Sequence, residues 1–237
     1  MIVKAIIQAR MSSTRLRGKT LMPVAGKPLL QRVLDSVRVN SFIESVAIAT
    51  SNAAADDPIE AYCSYSNVEC IRGDQTNVFS RYMSACESLN NNDQLIRITA
   101  DNMFCRFDAT VQLFESHIHR GTDYSCVEGL SHVVYEFIRV GAFNRIASHK
   151  IALNAYEEEH VTPIFRNKPG EFNIQEVAPT TLGLFPELEK KLTVDTQSDL
   201  YRIEQLIKDL NIDRDGVDFD QIYQWLSKRN YESSQVT

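Results

Sequence analysis

The sequence VKAIIQARMSSTRLRGKTLMPVAGKPLLQRVL, residues 3–34, is the stretch from which the fold and the site of this chain are best predicted. It contains seven Lys and Arg residues and no Asp or Glu, although the 237-residue chain has a formal net charge of -6. Since this stretch carries +7, the remainder of the chain sums to -13. A local excess of positive charge on an acidic protein favours an anionic partner.

The first part of this stretch predicts a buried strand that ends at a phosphate-binding loop. Residues 3–7 are a short β-branched run, which is typical of a strand covered on both faces of a parallel sheet. Ligands of open α/β sheets lie beyond the carboxyl ends of the strands, which here is the loop of residues 9–18. Its small hydroxyl residues let backbone N–H groups approach phosphate oxygens, and its cations add charge-assisted hydrogen bonds. The expected phosphate-binding side chains are Arg10, Ser12, Ser13, Thr14, Arg15 and Lys19. A solvated basic loop is the alternative.

A second alternative, a P-loop, is disfavoured. Residues 13–20, STRLRGKT, place Ser13 where the pattern G-x-x-x-x-G-K-[ST] has its first glycine. The lysine of a P-loop also leads directly into a helix. Pro23 and Gly26 disfavour a helix here, because proline costs about 3 kcal/mol and glycine about 1 kcal/mol in a helix interior.

The remaining sequence predicts one α/β domain. The chain is long enough for a single large core, and no Pro/Gly/Ser-rich linker divides it. Strands alternate with amphipathic helices, which predicts right-handed crossovers and a doubly wound, mostly parallel sheet. The strands of this regular part are expected at residues 3–7, 45–50, 68–71 and 94–99. We expect the domain to span residues 1–228, followed by a flexible tail at residues 229–237.

Composition limits the cellular context. No segment resembles a targeting signal or approaches the ~20 apolar residues of a membrane span. The five cysteines include no C-x-x-C pair, so the sequence suggests neither a disulfide framework nor a zinc site. His117 and His119 form an H-x-H that nothing nearby completes, and we interpret them as helix-end residues. We therefore expect a cytoplasmic protein without membrane or nucleic-acid partners.

The signature in residues 9–29 resembles that of a known family. The run Ala9-Arg10-Met11-x-Ser13-Thr14-Arg15-Leu16-x-Gly18-Lys19-x-Leu21, closed by Val24-x-Gly26-Lys27-Pro28-Leu29, is similar to the cytidylyltransferases. These include the CMP-Kdo and CMP-acylneuraminate synthetases, and the most similar branch is the spore coat polysaccharide biosynthesis protein F group. Arg17 departs from the family, which usually has proline there. The resemblance implies a nucleotide-diphospho-sugar transferase-like fold. It also implies CTP bound by Ala9 and by the phosphate-binding side chains named above, with Arg15 and Lys19 catalytic.

Two aspartates are candidates for a metal site. Asp101 follows the strand at 94–99, where a carboxylate could hold Mg²⁺ or cap a turn. The resemblance of Arg97-Ile98-Thr99-Ala100-Asp101 to the family's R-x-T-G-D implies a catalytic, metal-binding aspartate beside a nucleotide-contacting Thr99, with Ala100 in place of glycine. Asp195 lies in LTVDTQSDL, which predicts a strand ending at Asp195 and a helix capped by Thr196 with Asp199. The family's T-V-D-T-x-x-D-L implies that Asp195 is the second Mg²⁺ carboxylate.

A further segment resembles the family's R-G-x-x-x-D-V-L-x-R, which lies beside the nucleotide. Arg72 and Gly73 match its first two positions, and Asn77 stands where the family has aspartate. The resemblance implies that Arg72 and Gly73 contact the nucleotide. Surface ion pairs are the alternative for Arg72 and Arg81.

The α/β rhythm loosens at about residues 121–178, where the family carries a small inserted α+β region with the acceptor pocket and the contact of a homodimer. Residues 129–137 and Glu159-His160-Val161-Thr162-Pro163 resemble two of its motifs. The acceptor residues that the resemblance implies are Glu136, Arg139, Glu159 and His160, with a core position as the alternative for His160. Glu158 stands where the family has arginine. The three consecutive acids at 157–159 are expected to disfavour a carboxylated sugar unless Arg139 or Arg166 compensates.

Together, these features predict a Mg²⁺-dependent transfer of CMP from CTP to a sugar-like acceptor with release of pyrophosphate, for cell-surface polysaccharide biosynthesis. Two other functions remain open. A glycosyltransferase would use a D-x-D, and Asp213-Arg214-Asp215 is such a motif in a late polar segment. A non-catalytic nucleotide-binding homologue would account for Asn77, Ala100 and Glu158.

Overall fold

The computed structural model of the chain describes residues 1–149, 151–168, 170–212 and 218–234, with side chains as far as residue 228. The strands are β1 (Val3–Gln8), β2 (Pro23–Val24), β3 (Lys27–Pro28), β4 (Ser45–Ser51), β5 (Glu69–Gly73), β6 (Gln94–Thr99), β7 (Tyr124–Val127), β8 (Glu136–Arg139) and β9 (Ile174–Val177). The helices are α1 (Leu29–Arg38), α2 (Asp57–Tyr65), α3 (Val78–Cys86), α4 (Phe107–Arg120), α5 (Val140–Ser148), α6 (Ala155–His160), α7 (Pro163–Asn167), α8 (Pro186–Glu189), α9 (Gln197–Asp209) and α10 (Phe219–Ser234).

The described residues form a central sheet of seven strands in the order β5-β4-β1-β6-β8-β7-β9. β5, β4, β1 and β6 are mutually parallel, β8 is antiparallel to both of its neighbours, and β9 is parallel to β7. Gln8 at the end of β1 lies opposite Ala49 of β4 and Thr99 of β6. The carboxyl ends of the three central strands therefore meet at one edge. The predicted doubly wound, mostly parallel sheet is confirmed.

Helices cover both faces of the sheet because each has an apolar stripe. α1 buries Leu30, Val33, Leu34 and Val37 together with α4 and α9 on one face. On the other face, α3, α5 and α7 bury residues such as Tyr82 and Phe143. Each fully buried aliphatic or aromatic side chain contributes about 1.5–3 kcal/mol of transfer free energy. The two cores hold the sheet rigid under the edge where β1 and β6 end.

The inserted region does not form a separate layer. Its strands β7, β8 and β9 continue the central sheet beyond β6, and α5, α6 and α7 pack on the face covered by α3. The segment containing α6 is thereby brought back across the sheet toward the loop after β1.

One predicted strand is wrong. The β-branched run before Asp195 contains a 3-10 turn (Lys190–Leu192), after which residues 193–195 have irregular backbone. The Val194 N–H donates to the Asp101 carbonyl at 2.8 Å, and this bond joins the segment to the end of β6 without a strand. The two aspartates therefore come together through loops rather than through adjacent strands.

The C-terminal part continues the helical layer. Residues 229–234 belong to α10, whereas the tail was expected to begin at residue 229. Residues 235–237 and the predicted Asp213-Arg214-Asp215 motif lie outside the described residues. None of the described helices is both long and apolar enough to cross a membrane.

Candidate active site

The loop after β1 folds back on itself and directs Lys19 toward the sheet edge. The Ala9 N–H donates to the Ala49 carbonyl at 3.0 Å, which extends the pairing of β1 with β4 by one residue. The Gly18 N–H donates to the Met11 carbonyl at 2.9 Å and closes the loop. Gly18 has φ +73°, a left-handed conformation in which a side chain would be strained. A 3-10 turn (Lys19–Leu21) follows at once, so Lys19 emerges from the base of the loop.

The Lys19 ammonium lies between the two predicted metal carboxylates. Its Nζ is 3.4 Å from Asp101 Oδ2 and 2.9 Å from Asp195 Oδ1, and it donates to the Val194 carbonyl at 2.7 Å. Arg15 Nη2 lies 2.9 Å from the same Asp195 oxygen. Lys19 is 12% exposed and the Arg15 side chain is 64% exposed. The structure therefore gathers two cations and two anions at the carboxyl end of β6, with Arg15 facing solvent.

Local hydrogen bonding explains why both carboxylates are available. Asn102 caps the turn after β6, because its Oδ1 accepts from the Phe104 N–H at 2.8 Å and its Nδ2 donates to the His132 carbonyl. Thr196 and Asp199 form a reciprocal capping box at the start of α9. The turn after β6 is thus capped by Asn102 rather than by Asp101. The predicted cap of α9 by Thr196 with Asp199 is confirmed, and the Asp195 carboxylate takes no part in it.

The two carboxylates fit Mg²⁺. Mg²⁺ is commonly held by one or two protein carboxylates together with substrate phosphates and water. Asp101 and Asp195 both contact one positive group, and Asp101 Oδ1 is buried without a hydrogen-bond partner among the described residues. The described residues contain no cluster of three or more His, Cys, Asp or Glu suited to a metal. The site therefore matches a metal shared with a phosphate ligand rather than a closed protein cage.

His132 lies beside this group of charges. Burial lowers the pKa of His132, although the nearby Asp101 carboxylate raises it, and its Nε2 has no hydrogen-bond partner within the described part of the chain. Neither His132 nor the Val194 carbonyl was singled out from the sequence. Their positions depend on which loops pack against the end of β6, and no local motif indicates that.

The predicted acceptor segment does reach the loop after β1. Glu159 Oε1 lies 3.4 Å from Arg10 Nη1, and both side chains are about half exposed. His160 is exposed and its ring contacts that of Tyr156 in a tilted arrangement, with centroids 4.4 Å apart, so it is not a core histidine. Ser12 and Thr14 are exposed and Ser13 is half-buried in the same loop. Arg10 and Glu159 therefore meet at an exposed polar surface, and His160 follows Glu159 at the end of α6.

Arg72 makes the ion pairs that the sequence offers as the alternative to nucleotide contact. Its guanidinium contacts Asp57 at 2.8 Å and Glu60 at 2.5 Å, and it donates to two backbone carbonyls at the end of β4. Gly73 has a packing role, because a Cβ there would lie 2.8 Å from Arg81 Cγ. Asn77 caps α3 by accepting from the Ser80 N–H at 2.8 Å. These contacts give the segment structural roles, and nucleotide contact by Arg72 and Gly73 stays a prediction.

Two of the predicted acceptor residues are not placed for that role. Arg139 pairs with Gln94 at the start of β6, whereas the site lies beyond Thr99. Five residues of strand separate those ends by roughly 16 Å. Glu136 is 2% exposed, and its carboxylate accepts from Arg97 at 2.5 Å, from Thr162 at 3.2 Å and from the Tyr124 hydroxyl. We leave both residues out of the acceptor surface.

The run of three acids is also less uniform than its sequence suggests. Glu157 is buried and forms a capping box with Asn154 at the start of α6. Glu159 pairs with Arg10, and Glu158 remains half-buried. Arg166, considered as a replacement for the missing arginine, contacts Glu176 of β9 at 3.3 Å. The local negative charge at the acceptor side therefore comes mainly from Glu158.

Comparison with known proteins identifies the family. A family model described as cytidylyltransferase matches residues 4–224. The spore coat polysaccharide biosynthesis protein SpsF of Bacillus subtilis (strain 168) is 31% identical over 206 residues, which are 85% of this chain and 84% of that protein. A solved cytidylyltransferase structure from Leptospira borgpetersenii serovar Hardjo-bovis (strain JB197) aligns with a TM-score of 0.80 at 23% identity, over 98% of this chain and 96% of that one. A CMP:2-keto-3-deoxy-manno-octonic acid synthetase complexed with CTP aligns with a TM-score of 0.63 at 16% identity, over 88% and 99%. The two structural similarities show the shared fold. The motif in residues 9–29 predicted the family, and the family match confirms it. This chain is a nucleotidyltransferase of the cytidylyltransferase family.

Proposed function

We propose that this enzyme transfers CMP from CTP to a hydroxyl group of a sugar-like acceptor and releases pyrophosphate, as a step in the synthesis of a surface polysaccharide. The acceptor oxygen forms a bond to the α-phosphorus of CTP and releases its proton to water, and the bond from that phosphorus to the pyrophosphate oxygen breaks. The cytoplasm, where CTP is available, is the proposed compartment.

The observation that carries this proposal is the convergence of Lys19 and Arg15 with Asp101 and Asp195 at the carboxyl ends of β1 and β6. Two cations on a loop closed by Gly18 suit the triphosphate, and two carboxylates suit a hard cation. Without ligands the four charges cancel. Because these four side chains are neutral in sum, a triphosphate is expected to bind them only together with a cation such as Mg²⁺.

Each of these side chains has a separate task. Asp101 and Asp195 would hold Mg²⁺, which when bound offsets phosphate charge and orients the reacting groups. Arg15 and Lys19 hold the triphosphate in the in-line geometry, and Arg10, Ser13 and the loop amides complete its binding. Such preorganised positioning and charge stabilisation account for most of the catalysis expected in a phosphoryl or nucleotidyl transfer.

The acceptor is proposed to bind on the open side of the site formed by Arg10, Glu159 and His160. Glu158 adds negative charge there, because Glu157 is buried and Glu159 is paired. A neutral or amino-bearing sugar acceptor suits this charge better than a carboxylated one. The similarity to a protein named for spore coat polysaccharide biosynthesis supports a surface-polysaccharide precursor as the acceptor.

A thermal-shift panel of CTP, UTP, GTP, ATP and dTTP, with and without Mg²⁺, tests the nucleotide. CTP with Mg²⁺ is expected to stabilise the protein by about 2.7 kcal/mol at one hundred times its dissociation constant. Pyrophosphate release from CTP across a panel of sugar acceptors then tests the reaction. No stabilisation by any nucleotide would sink the proposed site.

The same two assays, with nucleoside diphosphate sugars added to the nucleotide panel, separate the two rival functions. A preference for a nucleoside diphosphate sugar over CTP would favour a glycosyltransferase. Tight CTP binding with no pyrophosphate release from any acceptor would favour a non-catalytic homologue.

A further inference from the structure

Asp56 is a buried carboxylate directly beneath the loop after β1. It ends the 3-10 turn (Ala54–Asp56) before α2 and is 2% exposed. Its Oδ1 accepts from the Met11 N–H at 2.7 Å. Its Oδ2 accepts from the Ser51 N–H at 3.3 Å and from the Ser51 hydroxyl. One side chain thus joins the loop after β1 to the end of β4.

The backbone of Met11 is hydrogen-bonded at both its N–H and its carbonyl, so it holds the base of this loop. Its N–H is bound by Asp56, and its carbonyl accepts from the Gly18 N–H at 2.9 Å. The preceding carbonyl, that of Arg10, accepts from the Thr20 hydroxyl at 2.9 Å. The base of the loop is therefore held from several directions, while its outer residues Ser12, Thr14 and Arg15 are exposed to a ligand.

The negative charge of Asp56 also stabilises the buried cation of Arg81. The guanidinium of Arg81 is buried and donates to the carbonyls of Asp74 and Gln75. Burial lowers the pKa of Arg81, the nearby charge of Asp56 raises it, and that of Arg10 lowers it. Asp56 therefore lies within electrostatic range of a cation cluster that includes Arg10 of the loop.

We propose that Asp56 is a positioning residue for the nucleotide site: it holds the Met11 N–H and so sets the backbone of the loop that binds the triphosphate. This inference rests on the proposed function. Asp56 itself is buried below the loop and acts through Met11 rather than by touching nucleotide or acceptor.

The chain provides a matched control for the general cost of losing such a carboxylate. Asp93 is 4% exposed and accepts from the Ile2 N–H at 2.7 Å and from the Asn90 N–H at 2.8 Å. It therefore makes the same kind of contact to the backbone beside β1, but at the opposite end of the strand. Asp93→Asn loses the buried anion without altering the loop of residues 9–18.

The test compares Asp56→Asn with Asp93→Asn at a temperature at which thermal unfolding shows that both variants are folded. Calorimetric binding of CTP with Mg²⁺ and steady-state kinetics are then measured. Asp56→Asn is expected to weaken CTP binding and raise its KM at least tenfold, and Asp93→Asn to change them less than twofold. Ser51→Ala, which removes one donor to Asp56, is a milder variant with an expected weakening of about threefold.

A second readout does not depend on nucleotide. Hydrogen exchange at the Met11 amide in the ligand-free protein is expected to accelerate in Asp56→Asn and to stay unchanged in Asp93→Asn. If wild type binds no nucleotide, the proposed function fails, yet this exchange still tests the contact. Unchanged exchange and unchanged affinity in Asp56→Asn would overturn the inference, as would equal loss of affinity in both aspartate variants.

Discussion

Lys19→Met tests the central group of charges. Asp101 Oδ2 and Asp195 Oδ1 lie 3.4 and 2.9 Å from the same nitrogen, so these two oxygens are at most 6.3 Å apart, the sum of the two distances. At an effective dielectric constant of about 20, two unit charges separated by roughly 6 Å repel by about 2.7 kcal/mol. Removing the ammonium while keeping a side chain of similar length leaves this repulsion offset, among the described side chains, by Arg15, whose guanidinium lies 2.9 Å from Asp195 Oδ1 but is 64% exposed and therefore screened by solvent. We therefore expect Lys19→Met to lower the free energy of unfolding by about 2–3 kcal/mol at low salt.

The assay is urea unfolding in the absence of nucleotide, in MgCl₂ and in NaCl of equal ionic strength. Because the variant keeps both carboxylates and loses the buried cation between them, MgCl₂ is expected to restore much of its lost stability and to have little effect on wild type. Lys27→Met is the control, since Lys27 contacts the single carboxylate of Asp35 at 3.3 Å and both side chains are partly exposed. That change is expected to cost less than about 1 kcal/mol. Equal stability of Lys19→Met and wild type, with no specific effect of MgCl₂, would refute this account of the charges.

Three further predictions follow from the same site. Asp195→Asn is expected to abolish pyrophosphate release while leaving the unfolding free energy within about 1 kcal/mol, because Thr196 and Asp199 supply the cap; an active variant would contradict the assigned role. Asp199→Asn is expected to cost about 1–2 kcal/mol near neutral pH. Burial raises the pKa of Asp199, but hydrogen bonds from Thr196 and Arg202 and from backbone N–H groups lower it overall, so its stabilisation is present above about pH 4 and disappears as the pH falls. Urea unfolding should show that the variant is less stable than wild type at pH 7 and that the two have the same unfolding free energy in acid. Glu158→Arg is expected to improve turnover of a carboxylated sugar relative to a neutral one several-fold, and an unchanged ratio of kcat/KM would refute the charge argument.

The sheet could be predicted because its strands are short apolar runs whose character depends on few neighbours. β1, β4 and β6 begin and end within one residue of their expected limits. The β-branched run before Asp195 looks the same in sequence, yet it bonds to the Asp101 carbonyl instead of entering the sheet. The local sequence pattern does not show whether such a segment pairs with an edge strand of the sheet.

Arg139 and Glu157 lie elsewhere than their motifs suggest, and both placements have definite physical causes. β8 is antiparallel to β6, so Arg139 lies at the edge opposite the site, and a linear motif carries no information about strand direction. Glu157 resembles its solvated neighbours in sequence, but Asn154 three residues earlier draws it into a capping box. Lys19 was expected at phosphate, and its position between two aspartates depends on contacts between segments more than eighty residues apart.

The bond between the Val194 N–H and the Asp101 carbonyl has a consequence for how the enzyme is made. Asp195 follows Asp101 by 94 residues, so β1, its loop and β6 leave the ribosome long before the second carboxylate is translated. During that interval Lys19 lacks the Asp195 oxygen at 2.9 Å and the Val194 carbonyl at 2.7 Å, its two nearest partners in the finished fold. A product terminated before residue 194 would retain the basic loop and Asp101 but not the second half of the charge cluster. The charge cluster is therefore completed late in synthesis, when the segment before α9 docks onto the end of β6.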